Sequence, residues 1–427
     1  MNNRNFLENS KVGEYYKGYA RILAKRKMGK ISFWTVRFKE STVQFVLKSE
    51  KLSNYKKILK IPVGSLVKAE GRKIVTKAGA PSLEVVRITP VYIFNRPWLD
   101  KFHGLKPEMR YKNRILDLII NSQTFEAFKK VSDITGEIRK FLLEKGYREF
   151  NTGVLQENFE AGQASAFQTI CNANDKILYL SLTSELKLKR LIVAGYEKVY
   201  EIAQSFRNEG IDSLHSPEFT LLEIYGVSED YLSMMELTEE IVKKAMQKIE
   251  DINIEKKFLA DSFKRINFYN AFQKYVGKEE CSLNSMIKLF PDMFNENMTN
   301  FTWLMKVIEK LIAPRIQQPT FLTELPIDMS PFAKAIDDKR TERAFFIANG
   351  LFIADIYTDE NDPAAIERAL KKQAQEIGAT INQDYLETIK MGLPKTAGIG
   401  MGLNRLFMAL IKELRSNIKE TILYPII

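Results

Sequence analysis

Residues 198–225 restrict the fold of this chain more than any other stretch. Residues 198–206 alternate as a half-buried strand does, with Val199 and Glu201 on one face and Tyr200 and Ile202 on the other. Gly210-Ile211-Asp212-Ser213 supplies a turn. On the return, Phe219, Leu221, Glu223 and Tyr225 share a face, because strand side chains repeat every two residues. A strand–loop–strand hairpin is expected, with Arg207, Glu209, His215 and Phe219 gathered near its loop. A guanidinium grips a phosphate through two parallel hydrogen bonds. A phenyl ring stacks a base for roughly 1–3 kcal/mol. A solvated charged hairpin would carry the same residue types, so pattern alone leaves both readings open.

The whole chain narrows the choice. Its 427 residues suffice for two or three domains and a substantial core. A hydrophobic share of 45% and a charged share of 27% are ordinary for a globular protein. The formal net charge of +11 favours a polyanionic partner. Cys171 and Cys281 offer neither a disulfide framework nor zinc-ligand spacing. His103 and His215 are the only histidines, which argues against a His-based metal centre or a Ser–His triad. The start, Met1-Asn2-Asn3-Arg4, lacks a signal-peptide core, and no run of about 18 apolar residues occurs. A cytoplasmic protein with no membrane association is expected.

Five strand-like runs, at 15–24, 32–38, 42–48, 65–74 and 83–93, are separated by Gly, Ser, Pro and Lys clusters. They predict an OB-fold barrel over residues 1–100. Arg21, Lys25, Arg26, Lys27 and Lys30 form a basic run beside Phe33, Trp34 and Phe45. A basic groove with aromatic platforms holds single-stranded nucleic acid, although each aromatic could equally fill the barrel. Asn95-Arg96-Pro97-Trp98 marks a domain boundary. Residues 124–145 read as an amphipathic helix with Phe128, Val131, Ile134, Ile138, Phe141 and Leu142 on one stripe, stopped by Gly146. Residues 230–310 read as a helical, Lys/Glu-rich insertion. In Gly398-Ile399-Gly400-Met401-Gly402 the glycines fall on one strand face, a flat slot where a ring could lie against backbone.

Phe206-Arg207-Asn208-Glu209-Gly210, His215, Glu218-Phe219-Thr220 and Glu223 together closely resemble motif 2 of the class II aminoacyl-tRNA synthetases, in their lysyl branch. Residues 398–405 resemble motif 3, the helix from 124 resembles motif 1, and Ser330-Pro331-Phe332-Ala333 matches the same family. The resemblance implies an α+β fold. An antiparallel sheet with flanking helices would occupy residues 101–427, behind the OB barrel. It implies an enzyme that activates lysine with ATP and passes it to tRNA, acting as a homodimer. By resemblance, Arg207 holds the α-phosphate, and Arg405 and Phe219 sandwich the adenine. Glu209, His215, Gly402 and Asn404 line the nucleotide. Glu185, Glu223, Asp355 and Asp359 form the amino-acid pocket, with Tyr225 and Tyr357 beside the ligand's stem. Four carboxylates without a matching arginine call for a cationic ligand such as lysine. Phe33 and Gln44 match anticodon-reading positions, and His103 sits in the connector between the domains.

The pattern departs from the family at several points. Asn404 replaces an acid and Leu214 an arginine. The two glutamates that hold magnesium in the family align with Ala344 and Phe352, which leaves Asp355 or Glu342 as substitute ligands. Asp355 stands for an asparagine, Asp359 for a glutamate, and Gly153 for the motif 1 proline. Gly79-Ala80-Pro81-Ser82 lacks the family's anticodon glutamate. These departures keep open a divergent paralogue that binds ATP, lysine or tRNA without efficient ligation, or that lysylates another acceptor.

Overall fold

The computed structural model describes residues 6–95, 105–157, 165–248, 256–329, 332–377 and 383–426. The N-terminal residues 1–4, the boundary residues 96–98, the connector with His103, and Ser330-Pro331 lie outside them. The chain forms two compact units, one running to Phe128 and one from Lys129 onward.

In the first unit, β1 (Tyr15–Met28), β2 (Ile31–Phe38), β3 (Ser41–Lys48), β4 (Leu66–Val75) and β5 (Pro81–Tyr92) close into a barrel in the order β1-β2-β3-β5-β4. Period-two burial puts Trp34, Val36 and Phe38 of β2 inside. Closure needs a glycine where strands meet tightly. A Cβ on Gly71 would strike the Glu84 carbonyl, beside the register shift between β4 and β5. Of the three aromatics near the basic run, Trp34 and Phe45 are core. Phe33 is half-buried, with the Arg26 guanidinium 5.6 Å from its ring. Lys25 donates to the Leu59 and Ile61 carbonyls and Arg21 to that of Gly64, so these two are committed. Gln44 Nε2 donates to Ser82 Oγ at 2.9 Å.

In the second unit, β6 (Arg148–Glu149), β10 (Lys198–Phe206), β11 (Glu218–Val227), β12 (Lys264–Asn267), β13 (Thr320–Thr323), β14 (Arg343–Ala348), β15 (Leu351–Thr358) and β16 (Thr396–Gly402) build one sheet. The order is β12-β13-β14-β15-β16-β11-β10-β6. The pairs from β13 through to β10 are antiparallel, as expected, and a parallel strand is added at each edge. A small sheet of β7 (Leu155–Gln156), β8 (Gln168–Cys171) and β9 (Lys176–Leu180) lies in the same unit.

The predicted hairpin forms, with Glu201 opposite Glu223 and Ser205 opposite Phe219. Its strands part after the Phe206–Glu218 pair, so the loop is longer than the four-residue turn expected. Asp212 organises it, accepting the Leu214 and His215 backbone N–H groups at 2.6 and 2.8 Å. The motif 1 helix is Ser122–Glu144 and ends at Gly146, whose φ of +85° only glycine adopts freely. It buries Ile134, Ile138, Phe141 and Leu142, while Phe128 and Val131 are half-buried.

The stretch 230–310 is not solely a helical insertion. The helix Tyr231–Lys248 packs on the central sheet, and β12 joins that sheet as an edge strand. The remaining helices share an apolar core with β13 and β14 around Phe268, Phe272, Ile308 and Phe345.

Candidate active site

One cavity of about 510 Å³ opens within the second unit. Its walls come from the hairpin loop, β11, β14, β15, β16, the helix Glu185–Val193 and the helix Asn300–Lys306. Arg207, Glu209, His215, Phe219, Gly402 and Arg405 line it, as do Glu185, Asp355 and Asn404. Glu223, Tyr225 and Asp359 are buried and Tyr357 half-buried; Tyr357 bonds Glu185 directly, Asp359 reaches it through Lys189, and Tyr225 bonds Glu223. Phe33 and Gln44 belong to the barrel unit.

At the hairpin end, Arg207 has no carboxylate partner among the described residues, and its guanidinium lies 5.2 Å from the Phe219 ring. An uncommitted guanidinium open to a cavity is suited to an anion. Arg405 is held instead. It donates to the Phe352 carbonyl at 3.1 Å, meets His215 Nε2 at 3.0 Å, and pairs with Glu309 at 3.5 Å. Arginine cannot accept a hydrogen bond, so Nε2 of His215 is the acceptor. The proton then sits on Nδ1 and is donated to Asp212 at 2.9 Å. His215 thus acts as a spacer between Asp212 and Arg405. Glu309, absent from the sequence reading, lies in a π-helical segment, Val307–Ile312, a distortion that often marks functional sites. Asn404 accepts the Thr220 N–H at 2.7 Å and donates to Thr421 Oγ1 at 2.8 Å. Both ends of its amide are thereby spent on the fold.

The acidic cluster corrects the charge argument drawn from sequence. Lys189, unremarked there, projects into it from one helical turn beyond Glu185. Its ammonium pairs with Glu185 at 2.6 Å and Asp359 at 2.5 Å, and the residue as a whole is 1% exposed. Burial alone would lower the Lys189 pKa, but Asp359 and Glu185 outweigh it and hold the group well above its ordinary range. The tyrosines expected beside a ligand's stem surround this ammonium, which lies 5.3 Å from the Tyr225 ring and 5.1 Å from that of Tyr357. Asp355 has a partner too: Arg343 grips it through two bonds, at 2.8 and 2.5 Å. Four carboxylates therefore face two internal cations, not none.

What survives is a smaller excess of negative charge. Tyr357 hydrogen-bonds Glu185 Oε1, as Lys189 does, which leaves Oε2 without a protein partner among the described residues. Glu223 accepts from Thr183 Oγ1 at 2.5 Å and Tyr225 OH at 2.9 Å. Burial, reinforced by the Glu185 charge, pushes Glu223 up to about 8. Burial likewise raises Asp359 to about 6 against the pull of Lys189, and its buried Oδ2 has no hydrogen bond among the described residues.

The glycine face is also corrected. Gly398 and Gly400 of β16 lie opposite Tyr225 and Glu223 of β11. A Cβ on Gly398 would run into the Tyr225 ring, and one on Gly400 would stand 3.3 Å from the Glu223 carboxylate. These two glycines make room for the protein's own side chains. Only at Gly402 is the nearest atom as far as 3.7 Å, so the slot left for a ligand is there.

A family model described as tRNA synthetases class II (D, K and N) matches residues 106–427. The lysine–tRNA ligase of Enterococcus faecalis is 34% identical over 427 residues, covering 95% of this chain and 85% of that protein. That of Dehalococcoides mccartyi is 33% identical over 431 residues, covering 95% and 86%. Lysine–tRNA ligase 2 of Methanosarcina mazei is 33% identical over 428 residues, covering 95% and 83%.

Proposed function

This chain belongs to the class II tRNA synthetases of the D, K and N group, and on that footing we propose that it ligates lysine to tRNA. The observation that carries the reading is one cavity containing both the free Glu185 oxygen and the uncommitted Arg207. The first suits an ammonium and the second a phosphate. A zwitterion with a cationic side chain and a nucleotide could meet between them.

In this reading the lysine side-chain ammonium docks at Glu185, with Glu223 ionising as it arrives. Arg207 holds the α-phosphate of ATP while the lysine carboxylate attacks it in line. The bond formed is carboxylate oxygen to phosphorus, the bond broken is to pyrophosphate, and the product is lysyl-adenylate. A terminal hydroxyl of tRNA then attacks the acyl carbon and releases AMP. No side-chain nucleophile is required, so catalysis rests on positioning and on fixed positive charge. The barrel supports the tRNA part of the reading, through Phe33 and the exposed Arg26, Lys27 and Lys30. A homodimer and a cytoplasmic setting belong to the same proposal. Among the described residues no helix is long and apolar enough to cross a membrane.

The test is lysine-dependent ATP–pyrophosphate exchange, followed by charging of tRNA with labelled lysine. Both are expected, and both should be lost in Arg207→Ala. Exchange without charging would move the acceptor away from tRNA, and exchange driven by another amino acid would sink the lysine assignment.

A further inference from the structure

The resemblance implies a divalent cation held by two glutamates against the triphosphate. The residues of this cavity do not fit one. Side chains alternate along β14, so Arg343 and Phe345 face the cavity and Ala344, buried on the opposite face, does not. The residue to compare with the first family glutamate is therefore Phe345, and Phe352 faces the cavity at the second. Their rings lie 4.4 Å apart, tilted by 39°. Phe301 and Met305 extend this apolar wall. A hard cation needs oxygen ligands, and phenyl rings supply none.

The neighbouring carboxylates do not replace them. Asp355 is gripped by Arg343, and Glu309 is paired with Arg405. Glu342 sits just before β14 and does not line the cavity. Among the described residues, no group of three His, Cys, Asp or Glu side chains is arranged to hold a metal ion. Positive charge in the cavity comes from side chains, Arg207 free and Arg343 and Arg405 restrained.

We propose that the chain meets the nucleotide's phosphates with side-chain positive charge, Arg207 foremost, beside an aromatic wall, and holds no divalent cation of its own. Magnesium then reaches the site only as part of the nucleotide, and nucleotide affinity does not rise with it. The inference rests on reading the cavity as a nucleotide site.

The experiment is calorimetric titration of the full chain with ATP, without amino acid, in EDTA and again in excess magnesium chloride. The two dissociation constants are expected to agree within about threefold, and a Phe352→Glu variant should bind ATP about tenfold tighter with magnesium than without. Phe352 is half-buried, which makes it safer to replace than the fully buried Phe345. A wild-type affinity that rises more than about threefold with magnesium overturns the inference and leaves the lysine reading untouched. Matching affinities without lysine-dependent exchange uphold the inference and sink the lysine reading. ATP that binds in neither buffer overturns the inference together with the nucleotide site.

Discussion

Among single residues, commitment separates three cations of one cavity. Arg343 and Arg405 are spent on protein partners, and Arg207 is not. Arg207→Ala should therefore weaken ATP binding by about 1.5–3 kcal/mol with little change in stability, as calorimetry and thermal melting would read. Lys189→Met should do the reverse to the fold. It strands Asp359 as a buried charge and strips Glu185 of its cation, and a loss of roughly 3–5 kcal/mol in chemical denaturation is expected. An unchanged midpoint would mean that the ammonium does not hold the cluster together. Glu223 sets a pH dependence. Its folded pKa of about 8 lies above the ordinary 4.5, so the protonated carboxyl is favoured in the fold. Its contribution to stability is full below 4.5 and is lost as pH rises through about 8. Lysine binding reverses that preference. At pH 7 it should release about one proton, seen as a buffer-dependent binding enthalpy, and Glu223→Gln should abolish the release.

The secondary-structure elements follow their residue periods, and the consequences lie in which neighbour each face meets. The alternating glycines of β16 were legible, but their purpose was not, because register with β11 places Tyr225 and Glu223 over two of them. Gly398→Ala must displace the Tyr225 ring, and a loss of roughly 1–3 kcal/mol is expected. Gly402→Ala has room and should stay within about 0.5 kcal/mol of the parent, while intruding on the ligand slot. Equal melting temperatures for the two variants would contradict this assignment of the glycine face. Parity on β14 matters in the same way. A shift of one residue exchanges Ala344 for Phe345 at the cavity and changes the chemistry offered there.

For the molecule as a whole, a formal charge of +11 and a barrel with exposed Arg26, Lys27 and Lys30 bear on a nucleic-acid partner. Affinity for tRNA should fall at least tenfold between about 50 and 200 mM salt, and Phe33→Ala should weaken binding at every salt concentration. A flat salt response in filter binding would remove the phosphate contacts from the reading. The sequence by itself determined the barrel, the central antiparallel strands, the hairpin and a set of residues that share one cavity, Arg207, Phe219, Glu185 and Arg405 among them. Those depend on local periodicity and on a long, specific motif. Only the tertiary structure decided which of these residues are free to act. Lys189 meets Asp359, Arg343 meets Asp355, and Glu309 meets Arg405 across different elements. A charge's partner is set by distance through space, and at a few ångströms in a poorly solvated interior that distance decides whether a carboxylate awaits a ligand or already has one.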